Sequence, residues 1–326
     1  MTEKLSFVTI CIVTWNSTPV LRPCLESLKS QEYSNFQMVV VDNASHDESL
    51  ELVWSHFPEA VVIKNNVNAG FCRAHNQAIH LSQGEFYLAL NPDVIMAPDF
   101  LSQLVAAITS SPDYGMAGGK LLLKNNDGKQ NLIDSSGYFL DRRRRQYLRG
   151  YGKVDEGQYD QEGDVFGIDG AAPLYRRTML EDVCIQGEYF DEAFFAHKED
   201  IDLAWRSRIL GWKAIYNPQA VAMHVHTFRP GKRAGIDAEI RRHAVKNRYF
   251  LMLKNEAKCT WRRDWPGILW YDLKILAYLL VREWSSLKAF SVVWQNRRRI
   301  RYWRKAIWSK AKVSDEEMLG WFKDLD

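Results

Sequence analysis

The stretch FVTICIVTWNSTPV, residues 7–20, contains the pattern that decides the fold. Residues 7–13 form an apolar run rich in β-branched side chains, which favours a strand. Thr18-Pro19 then supplies the capping residue and the proline that mark the start of a helix. With helical segments between them, similar β-rich runs lie at residues 37–41, 60–63 and 86–90. Alternating strands and helices predict an α/β fold with a doubly wound, mainly parallel sheet.

Polar residues follow each predicted strand at the point where it ends. They are Thr14-Trp15-Asn16, Asp42-Asn43, Asn65-Asn66 and Asn91-Pro92-Asp93. In doubly wound sheets, the carboxyl ends of the strands line the crevice in which ligands bind. The sequence therefore predicts that these four segments face one binding crevice.

A second acidic segment lies far along the chain from Asp93. Residues 197–202 read HKEDID and open an amphipathic stretch that continues to Leu210, and a His-x-His pair, His224 and His226, follows it. A carboxylate at a strand end, another at a helix start and a nearby imidazole can hold a divalent cation and provide a base. Such a set is suited to moving a group off a diphosphate.

Later regions differ in pattern from the first hundred residues. Residues 111–170 are rich in glycine and predict a hairpin-rich insertion. The small residues that follow, at 169–173, would let the backbone approach a ligand closely. The rest of the chain predicts helices, most clearly at residues 243–254 and 268–284.

Composition limits the class of protein. A chain of 326 residues with 46% hydrophobic and 25% charged residues can form one large α/β domain with appendages. The five cysteines are odd in number and scattered, which argues against a disulfide framework and favours a reducing compartment. The residues before the first strand predict no secretion signal. No G-x-G-x-x-G follows that strand, which argues against a dehydrogenase.

Charge is distributed unevenly along the chain. Residues 1–226 contain 20 Lys and Arg against 29 Asp and Glu, whereas residues 227–312 contain 22 against 6. This basic block favours an anionic membrane surface or nucleic acid, and the alternative is a solvated helical face with core aromatics. The acidic first part argues against nucleic acid. The apolar run at residues 275–281 is far shorter than the roughly 20 residues that span a bilayer, so membrane contact would be peripheral. The block also holds seven tryptophans: Trp261, Trp265, Trp270, Trp284, Trp294, Trp303 and Trp308.

Six segments occur in an order that resembles a known family. They are residues 7–16 (FVTICIVTWN), 39–45 (VVVDNAS), 68–76 (NAGFCRAHN), 90–94 (LNPDV), 170–177 (GAAPLYRR) and 190–206 (FDEAFFAHKEDIDLAWR). Together they resemble family 2 glycosyltransferases, which are inverting enzymes of GT-A fold. Within that family, the chain is similar to bacterial rhamnosyltransferases that build polysaccharides on lipid carriers.

The resemblance implies a catalytic domain of GT-A fold at residues 1–228, with a nucleotide-binding part at 1–110 and an acceptor- and sugar-binding part at 111–228. Residues 229–326 would form a basic, Trp-rich helical extension. The implied reaction moves L-rhamnose from dTDP-L-rhamnose to a glycan or lipid-linked glycan acceptor. A UDP-hexose-dependent transferase and a non-catalytic polysaccharide or membrane assembly protein remain alternatives. The implied location is the cytoplasm, with the protein bound peripherally to the inner face of the cytoplasmic membrane. Whether the protein forms a homodimer stays open.

The resemblance also assigns residues to the donor. Asp42 would accept the imide N–H of a uracil or thymine ring, and Arg73 would place a cation near the diphosphate. The full set implied to bind the nucleotide and donor sugar is Thr14, Trp15, Asn16, Asp42, Asn68, Gly70, Arg73, Asn91, Asp93, Gly170 and Ala171.

Asp93 corresponds to the last acid of the family's Asp-x-Asp motif, whose first acid is here Asn91. The resemblance implies that Asp93 binds Mg²⁺ or Mn²⁺ together with the diphosphate, water and His224. His226 is the alternative imidazole, and whether Asn91 is itself a ligand stays open.

Asp200 is the implied base, which takes the proton of the acceptor hydroxyl as it attacks. Glu199 lies beside it and is a second candidate for the catalytic carboxylate or for acceptor binding. Asp202 and Arg206 are predicted to bind the acceptor.

Overall fold

The structure is a computed structural model that describes residues 5–123, 131–225 and 237–324. Strands and helices alternate in the first part of the chain, and the helix predicted from Thr18-Pro19 is confirmed, although Ser17 rather than Thr18 occupies its N-terminal capping position. The elements are β1 (Val8–Thr14), α1 (Thr18–Lys29), β2 (Phe36–Asp42), α2 (Ser49–His56), β3 (Val61–Lys64), α3 (Phe71–Leu81), β4 (Phe86–Leu90), β5 (Val94–Met96) and α4 (Phe100–Thr109).

The middle part of the chain is mostly β-structure. It consists of β6 (Tyr114–Leu123), β7 (Leu132–Ser135), β8 (Tyr138–Asp141), β9 (Gln146–Leu148), β10 (Gly163–Val165), β11 (Leu174–Arg176), α5 (Arg177–Val183), α6 (Glu199–Ile209) and β12 (Lys213–His224). The last part is mostly helical. It consists of α7 (Ala238–Asn255), α8 (Lys258–Arg282), α9 (Lys288–Gln295), α10 (Arg297–Trp308), α11 (Asp315–Gly320) and β13 (Phe322–Lys323).

Within the described residues, ten strands form one central sheet of order β10-β12-β6-β11-β4-β1-β2-β3, with β5 paired to β12 and β7 to β6. The long pairings are parallel: β1 with β2 and β4, β2 with β3, and β6 with β12. The short strands β5, β7, β10 and β11 run antiparallel to their neighbours. The predicted α/β fold with a mainly parallel sheet is confirmed. A smaller sheet, β13-β8-β9, lies beside the C-terminal helices.

Helices cover both faces of the sheet. Alternate residues of a strand point to opposite faces, so each strand contributes apolar side chains to the core on either side. On β1, Ile10 and Ile12 pack with α1, α2 and α4, whereas Cys11 belongs to the core that contains α3, α5 and α6. The carboxyl ends of β1, β2 and β4 consequently meet at one edge of the sheet, between the helical layers.

The long strand β6 lies where the sequence predicted a hairpin-rich insertion, and the long strand β12 lies where it predicted helices. The hairpin prediction is confirmed for β8 and β9, which pair antiparallel, but it missed that β6 pairs in parallel with β12 in the central sheet, and the helical prediction was wrong for β12. A Cβ on Gly119 would lie only 2.0 Å from the carbonyl oxygen of Ala220, so the close approach of the two strands requires glycine there. The glycines that obscure the β pattern of β6 are therefore part of its packing.

The helices of the basic block differ in how closely they pack against the rest of the chain. α7 and α10 pack against α6, and Trp303 is fully buried in the core that they share with it. Lys254, near the end of α7, forms ion pairs with Asp191 and Asp202 at 2.6 and 3.0 Å. These contacts join the C-terminal helices to α6 and to the segment that precedes it.

The helix α8 has an apolar exposed face. It begins at Lys258, earlier than the predicted residue 268, and its exposed apolar residues are Trp261, Trp265, Leu269, Trp270, Leu273, Leu276, Leu280 and Val281. None of the helices in the described ranges combines the length and the apolar character needed to cross a bilayer.

Candidate active site

Asp42 and Thr14 form a pair at the ends of β2 and β1. The two residues lie opposite each other in the parallel register, and the Thr14 hydroxyl donates a hydrogen bond of 2.9 Å to Asp42 Oδ1. The backbone N–H of Ser45 donates to Asp42 Oδ2 over 3.1 Å. The carboxylate is therefore buried and held from two sides at the strand edge.

Asn16 and Trp15 lie at the same edge. Asn16 has a left-handed backbone with φ of 51°, and its side-chain oxygen accepts a hydrogen bond of 2.8 Å from the His46 backbone N–H. The Trp15 side chain is 58% exposed. An exposed indole beside a fixed carboxylate offers a flat surface on which a ring can stack.

Asn43 organises the turn that leads into α3. Its Oδ1 accepts a hydrogen bond from Asn65 over 2.9 Å, and Asn68 Oδ1 accepts one of 3.0 Å from the Gly70 backbone N–H. Gly70 has φ of 82°, and a Cβ there would lie 2.5 Å from the ring of Phe195. The turn therefore requires glycine, both for its backbone and for the approach of the loop that precedes α6.

Arg73 lies in the first turn of α3 and is exposed. Across the residues that the structure describes, its guanidinium forms neither a hydrogen bond nor an ion pair with the protein. It is therefore accessible to an anionic ligand near the turn.

His224, at the end of β12, bridges two carboxylates. Its Nε2 lies 3.3 Å from Asp93 Oδ1, and its Nδ1 lies 2.8 Å from Asp134 Oδ2. Burial opposes the protonation of His224, but hydrogen bonds to Asp134 and Asp93 outweigh this cost and raise its pKa to about 10. The sequence did not predict Asp134, which is 90 positions from His224 and gives no local signal within a short strand.

The residues at this point fit a divalent cation that replaces the proton on His224 Nε2, since a metal-binding imidazole must be neutral. Neighbouring ligands that are each roughly 2.1 Å from an octahedral cation lie about 3 Å apart, close to the 3.3 Å between Asp93 Oδ1 and His224 Nε2. Asp134, on the other ring nitrogen, is the outer carboxylate that commonly orients a metal-binding imidazole. No group of three or more His, Cys, Asp or Glu side chains in the described ranges is arranged to hold a metal, so a cation here needs further oxygens from a ligand. His226, the alternative imidazole, lies outside the described residues.

A segment of small residues connects the Asp93 side of the site to Asp200. The backbone N–H of Asn91 donates to the carbonyl oxygen of Ala171 over 2.8 Å. A Cβ on Gly170 would lie 3.6 Å from the Cβ of Asp200, and the Gly170 backbone N–H is hydrogen-bonded to the Asp200 carboxylate. The structure thus brings together residues that the sequence placed about 110 positions apart.

Asp200 and Glu199 begin α6 but have different environments. Burial and the charge of Asp169 raise the pKa of Asp200 above its usual range. Its Oδ1 accepts a hydrogen bond of 2.8 Å from the Ile201 backbone N–H, and the side chain is only partly buried. Glu199 is buried, and burial together with the charge of Asp200 raises its pKa as well. Of the two acids, Asp200 is therefore the one that an incoming hydroxyl can reach.

The loop before Asp200 is held in an uncommon backbone conformation by α7. Phe195, His197 and Lys198 have φ of 68°, 67° and 69°, in the left-handed region that non-glycine residues rarely adopt. Asn247 Nδ2 donates hydrogen bonds of 2.9 and 2.6 Å to the carbonyl oxygens of Ala196 and His197. The C-terminal helices therefore fix the backbone that carries Asp200, which the sequence did not predict.

Asp202 and Arg206 are fully buried and bonded to each other over 2.9 Å. Asp202 Oδ1 also lies 3.0 Å from Lys254 Nζ and accepts a hydrogen bond of 2.8 Å from Asn255. Side chains without exposed surface cannot contact an acceptor directly, so the predicted acceptor-binding role does not fit their positions. The contacts instead fasten α6 to α7.

Comparison with known proteins supports one family. The model for "Glycosyl transferase family 2" matches residues 9–184. The chain is 24% identical over 315 residues to N-acetylglucosaminyl-diphospho-decaprenol L-rhamnosyltransferase of Mycobacterium tuberculosis, covering 88% of this chain and 95% of that protein. It is 27% identical over 238 residues to an N-acetylglucosaminyltransferase of Bradyrhizobium diazoefficiens, covering 68% of this chain and 46% of that protein. The chain also spans less than half the length of other relatives that it matches.

The fold is shared with solved glycosyltransferase structures. One is the mannosyltransferase PcManGT from Pyrobaculum calidifontis in complex with GDP-Man and Mn²⁺, with a TM-score of 0.53, 17% identity, and coverage of 98% of this chain and 79% of that chain. At this identity the likeness concerns the fold alone, and it agrees with the predicted GT-A arrangement. The family model spans more than half of the chain, so the chain belongs to glycosyl transferase family 2, as the six ordered segments predicted.

Proposed function

We propose that this chain is an inverting glycosyltransferase of cell-surface polysaccharide synthesis, which moves a sugar from a nucleoside-diphosphate donor to a glycan or lipid-linked acceptor. The observation that carries the proposal is Asp200, a partly exposed carboxylate beside Gly170, at the site that also contains the Asp93–His224 pair. L-rhamnose from dTDP-L-rhamnose is the proposed donor, supported by the near-complete coverage of the mycobacterial rhamnosyltransferase. A UDP-hexose is the alternative, supported by the N-acetylglucosaminyltransferase relative.

In this proposal the residues of the site have separate roles. Asp42 accepts the imide N–H of the pyrimidine base, and Arg73 contacts the diphosphate. Asp200 takes the proton of the acceptor hydroxyl. At the same time the hydroxyl oxygen bonds to the anomeric carbon of the sugar, and the bond from that carbon to the diphosphate breaks. A Mg²⁺ or Mn²⁺ ion held by Asp93 and His224 would neutralise charge on the departing diphosphate.

Donor binding tests the proposal directly. We expect dTDP-L-rhamnose or a UDP-hexose, with Mn²⁺, to raise the melting temperature, because a ligand at 100 times its Kd stabilises the folded state by about 2.7 kcal/mol. The stabilising donor should also be hydrolysed slowly without acceptor, which separates an enzyme from a non-catalytic protein of the same fold. An unchanged melting temperature with every dTDP- and UDP-sugar would contradict the proposal, and GDP-mannose serves as the control for base selectivity.

We also propose that the C-terminal helices hold the enzyme on the inner face of the cytoplasmic membrane. Exposed basic residues gather at the start of α8, where Arg301 and Lys305 of α10 line a cavity together with Lys258 and Arg262. Each basic residue near an anionic bilayer contributes on the order of 1 kcal/mol, and tryptophan favours the interface. A second copy of the chain covering α8 is the alternative.

Sedimentation with vesicles tests the membrane proposal. We expect binding to phosphatidylglycerol vesicles that weakens as salt rises, and little binding to phosphatidylcholine. Trp270→Ser should reduce the bound fraction, whereas Lys213→Ala, a charge change outside the basic block, should not. Binding that is absent or insensitive to lipid charge and salt, together with a dimer in light scattering, would assign the α8 face to self-association.

A further inference from the structure

A cavity of about 510 Å³ lies where the β8–β9 hairpin, the loop before α6 and the helices α7 and α8 meet. None of the described residues that line it is a carboxylate, and four separate segments contribute cations: Arg144, Arg145, Lys198, Arg248 and Lys274. A recess lined by charges of one sign concentrates ligands of the opposite sign. The cavity is therefore suited to an anion.

Two of the five cations are already neutralised by the protein. Arg144 forms ion pairs of 2.7 and 3.0 Å with Glu256 and Asp264. Arg248 forms one of 2.8 Å with Asp272. These pairs fix the wall of the cavity and neutralise two of its five positive charges.

The other three cations form no ion pair within the described ranges. Arg145 and Lys274 instead lie over aromatic rings, 5.3 Å from the centroid of Tyr271 and 5.1 Å from that of Trp270. Burial and the charge of Arg248 lower the pKa of Lys198 to about 8, more than the charges of Asp200 and Glu199 raise it, so further negative partners would stabilise its ammonium form. An anion that entered the cavity would supply them.

The cavity adjoins the proposed base. Lys198 has a left-handed backbone and immediately precedes α6, so only Glu199 separates it from Asp200. Asn247 holds the backbone of this loop from α7, the helix that also contributes Arg248 to the cavity. A ligand held by Lys198 would consequently present a neighbouring group to Asp200.

The remaining wall of the cavity is apolar and leads to the exposed face of α8. Ile275 and Leu279 line the cavity, while Leu276 and Leu280, their neighbours on the same helix, are exposed. An anion alone would not require this surface. A ligand with an anionic group and a hydrocarbon chain would use both parts.

We propose that this cavity binds the diphosphate of a lipid-linked acceptor, with the lipid chain leaving along α8. The inference rests on the proposed transferase function, in which Asp200 activates the acceptor. It assigns the acceptor's phosphate group to the cavity, apart from the donor diphosphate at the strand ends. The acceptor sugar, which is attached to that diphosphate, is then the group held next to Asp200.

Direct binding by the full chain tests the inference, with farnesyl diphosphate as the probe in calorimetry. Inorganic pyrophosphate and farnesol are the two partial ligands. We expect farnesyl diphosphate to bind at least tenfold more tightly than either, because only it contacts both walls. We expect two variants to weaken this binding at least tenfold each: Lys274→Glu, at an exposed residue, and Arg145→Gln. Lys213→Ala, which removes one positive charge from the exposed surface of β12 as Arg145→Gln does in the cavity, should leave it unchanged.

Three outcomes would overturn the inference: no binding of farnesyl diphosphate, equal binding of pyrophosphate, or parental affinity in both variants. Phosphatidylglycerol vesicles form a separate arm, in which Arg145→Gln is used because Arg145 lies outside the basic block. A loss of vesicle binding as large as the loss of probe binding in this variant would indicate headgroup recognition in the cavity and would also overturn the inference. Melting temperatures with dTDP- and UDP-sugars separate the two proposals. Stabilisation by a donor without binding of farnesyl diphosphate rejects the cavity alone, whereas the absence of any donor effect rejects the transferase function.

Discussion

The substitution Asp200→Asn is expected to lower turnover by about two to four orders of magnitude, the usual contribution of a positioned general base. An amide has nearly the same shape and can still accept the hydrogen bond from the Ile201 backbone N–H, but it cannot take a proton. Donor affinity should remain nearly parental, because the proposed partner of Asp200 is the acceptor. The measurement is kcat with saturating donor, alongside donor Kd from calorimetry.

Two controls sharpen this test. Asp113→Asn, an exposed carboxylate-to-amide change in another loop, should be silent. Glu199→Gln should retain activity within about tenfold, because a glutamate with a raised pKa is largely neutral and an amide resembles it. Loss of donor binding in Asp200→Asn would place this residue in the nucleotide site and reject its role as base.

The pH dependence of turnover follows from the same residue. A base acts only when deprotonated, so a raised pKa moves the acid limb of the kcat/KM profile upward, above the ordinary aspartate value of 3.8. Activity should therefore rise as pH increases through the pKa of Asp200 and should be low at pH 4 to 5. The residual activity of Asp200→Asn should lack this limb. An identical limb in both proteins would assign the titration to another group.

The substitution Asp93→Ala is expected to lower metal-dependent turnover by at least about two orders of magnitude, since even outer-shell partners of metal ligands usually contribute 10- to 100-fold. The fold should persist because Asp93 follows β4 at the edge of the sheet, and its backbone oxygen still accepts the hydrogen bond from the Val225 N–H. The measurements are an Mn²⁺ titration of turnover and the melting temperature without metal.

Asn91→Asp is the companion to this variant. It restores the first acid of the family's motif. We therefore expect that activity is retained and that turnover reaches its maximum at a lower Mn²⁺ concentration. Complete inactivity would mean that the Asn91 amide contacts the donor directly. Parental turnover in Asp93→Ala at every Mn²⁺ concentration would reject the assignment of Asp93 to the metal.

Strand ends and helix starts were predictable because their signals are local. The apolar, β-branched runs before Thr14 and Asp42 and the Thr18-Pro19 signal for a helix start depend on neighbours a few positions away. Since parallel strands end at the same edge, these patterns also predicted that Thr14, Asp42 and Asp93 share one side of the sheet. The strands β6 and β12 were missed because glycine and small residues there satisfy a contact between strands, which a single stretch of sequence does not reveal.

The face of a helix that becomes buried was not predictable from its own sequence. Asp200 and Asp202 have the same helix-start signal, yet Asp202 is fully buried because Lys254 and Asn255 approach it from α7. The tryptophans of the basic block show the same dependence on tertiary contacts. Trp303 is buried against α6 although Arg301, Arg304 and Lys305 surround it in the sequence, whereas Trp270, between Leu269 and Tyr271, remains exposed.

The sequence by itself determined the α/β fold and the family and supplied the candidate residues of the site, because each follows from short-range patterns. Only the tertiary structure decided that Asp134 orients His224, that Asn247 holds the loop of Asp200, and that cations from four segments surround one cavity. These features depend on contacts between residues 50 to 90 or more positions apart. Such contacts form because burial of apolar helix faces brings distant segments together, and the polar groups carried with them must then find partners.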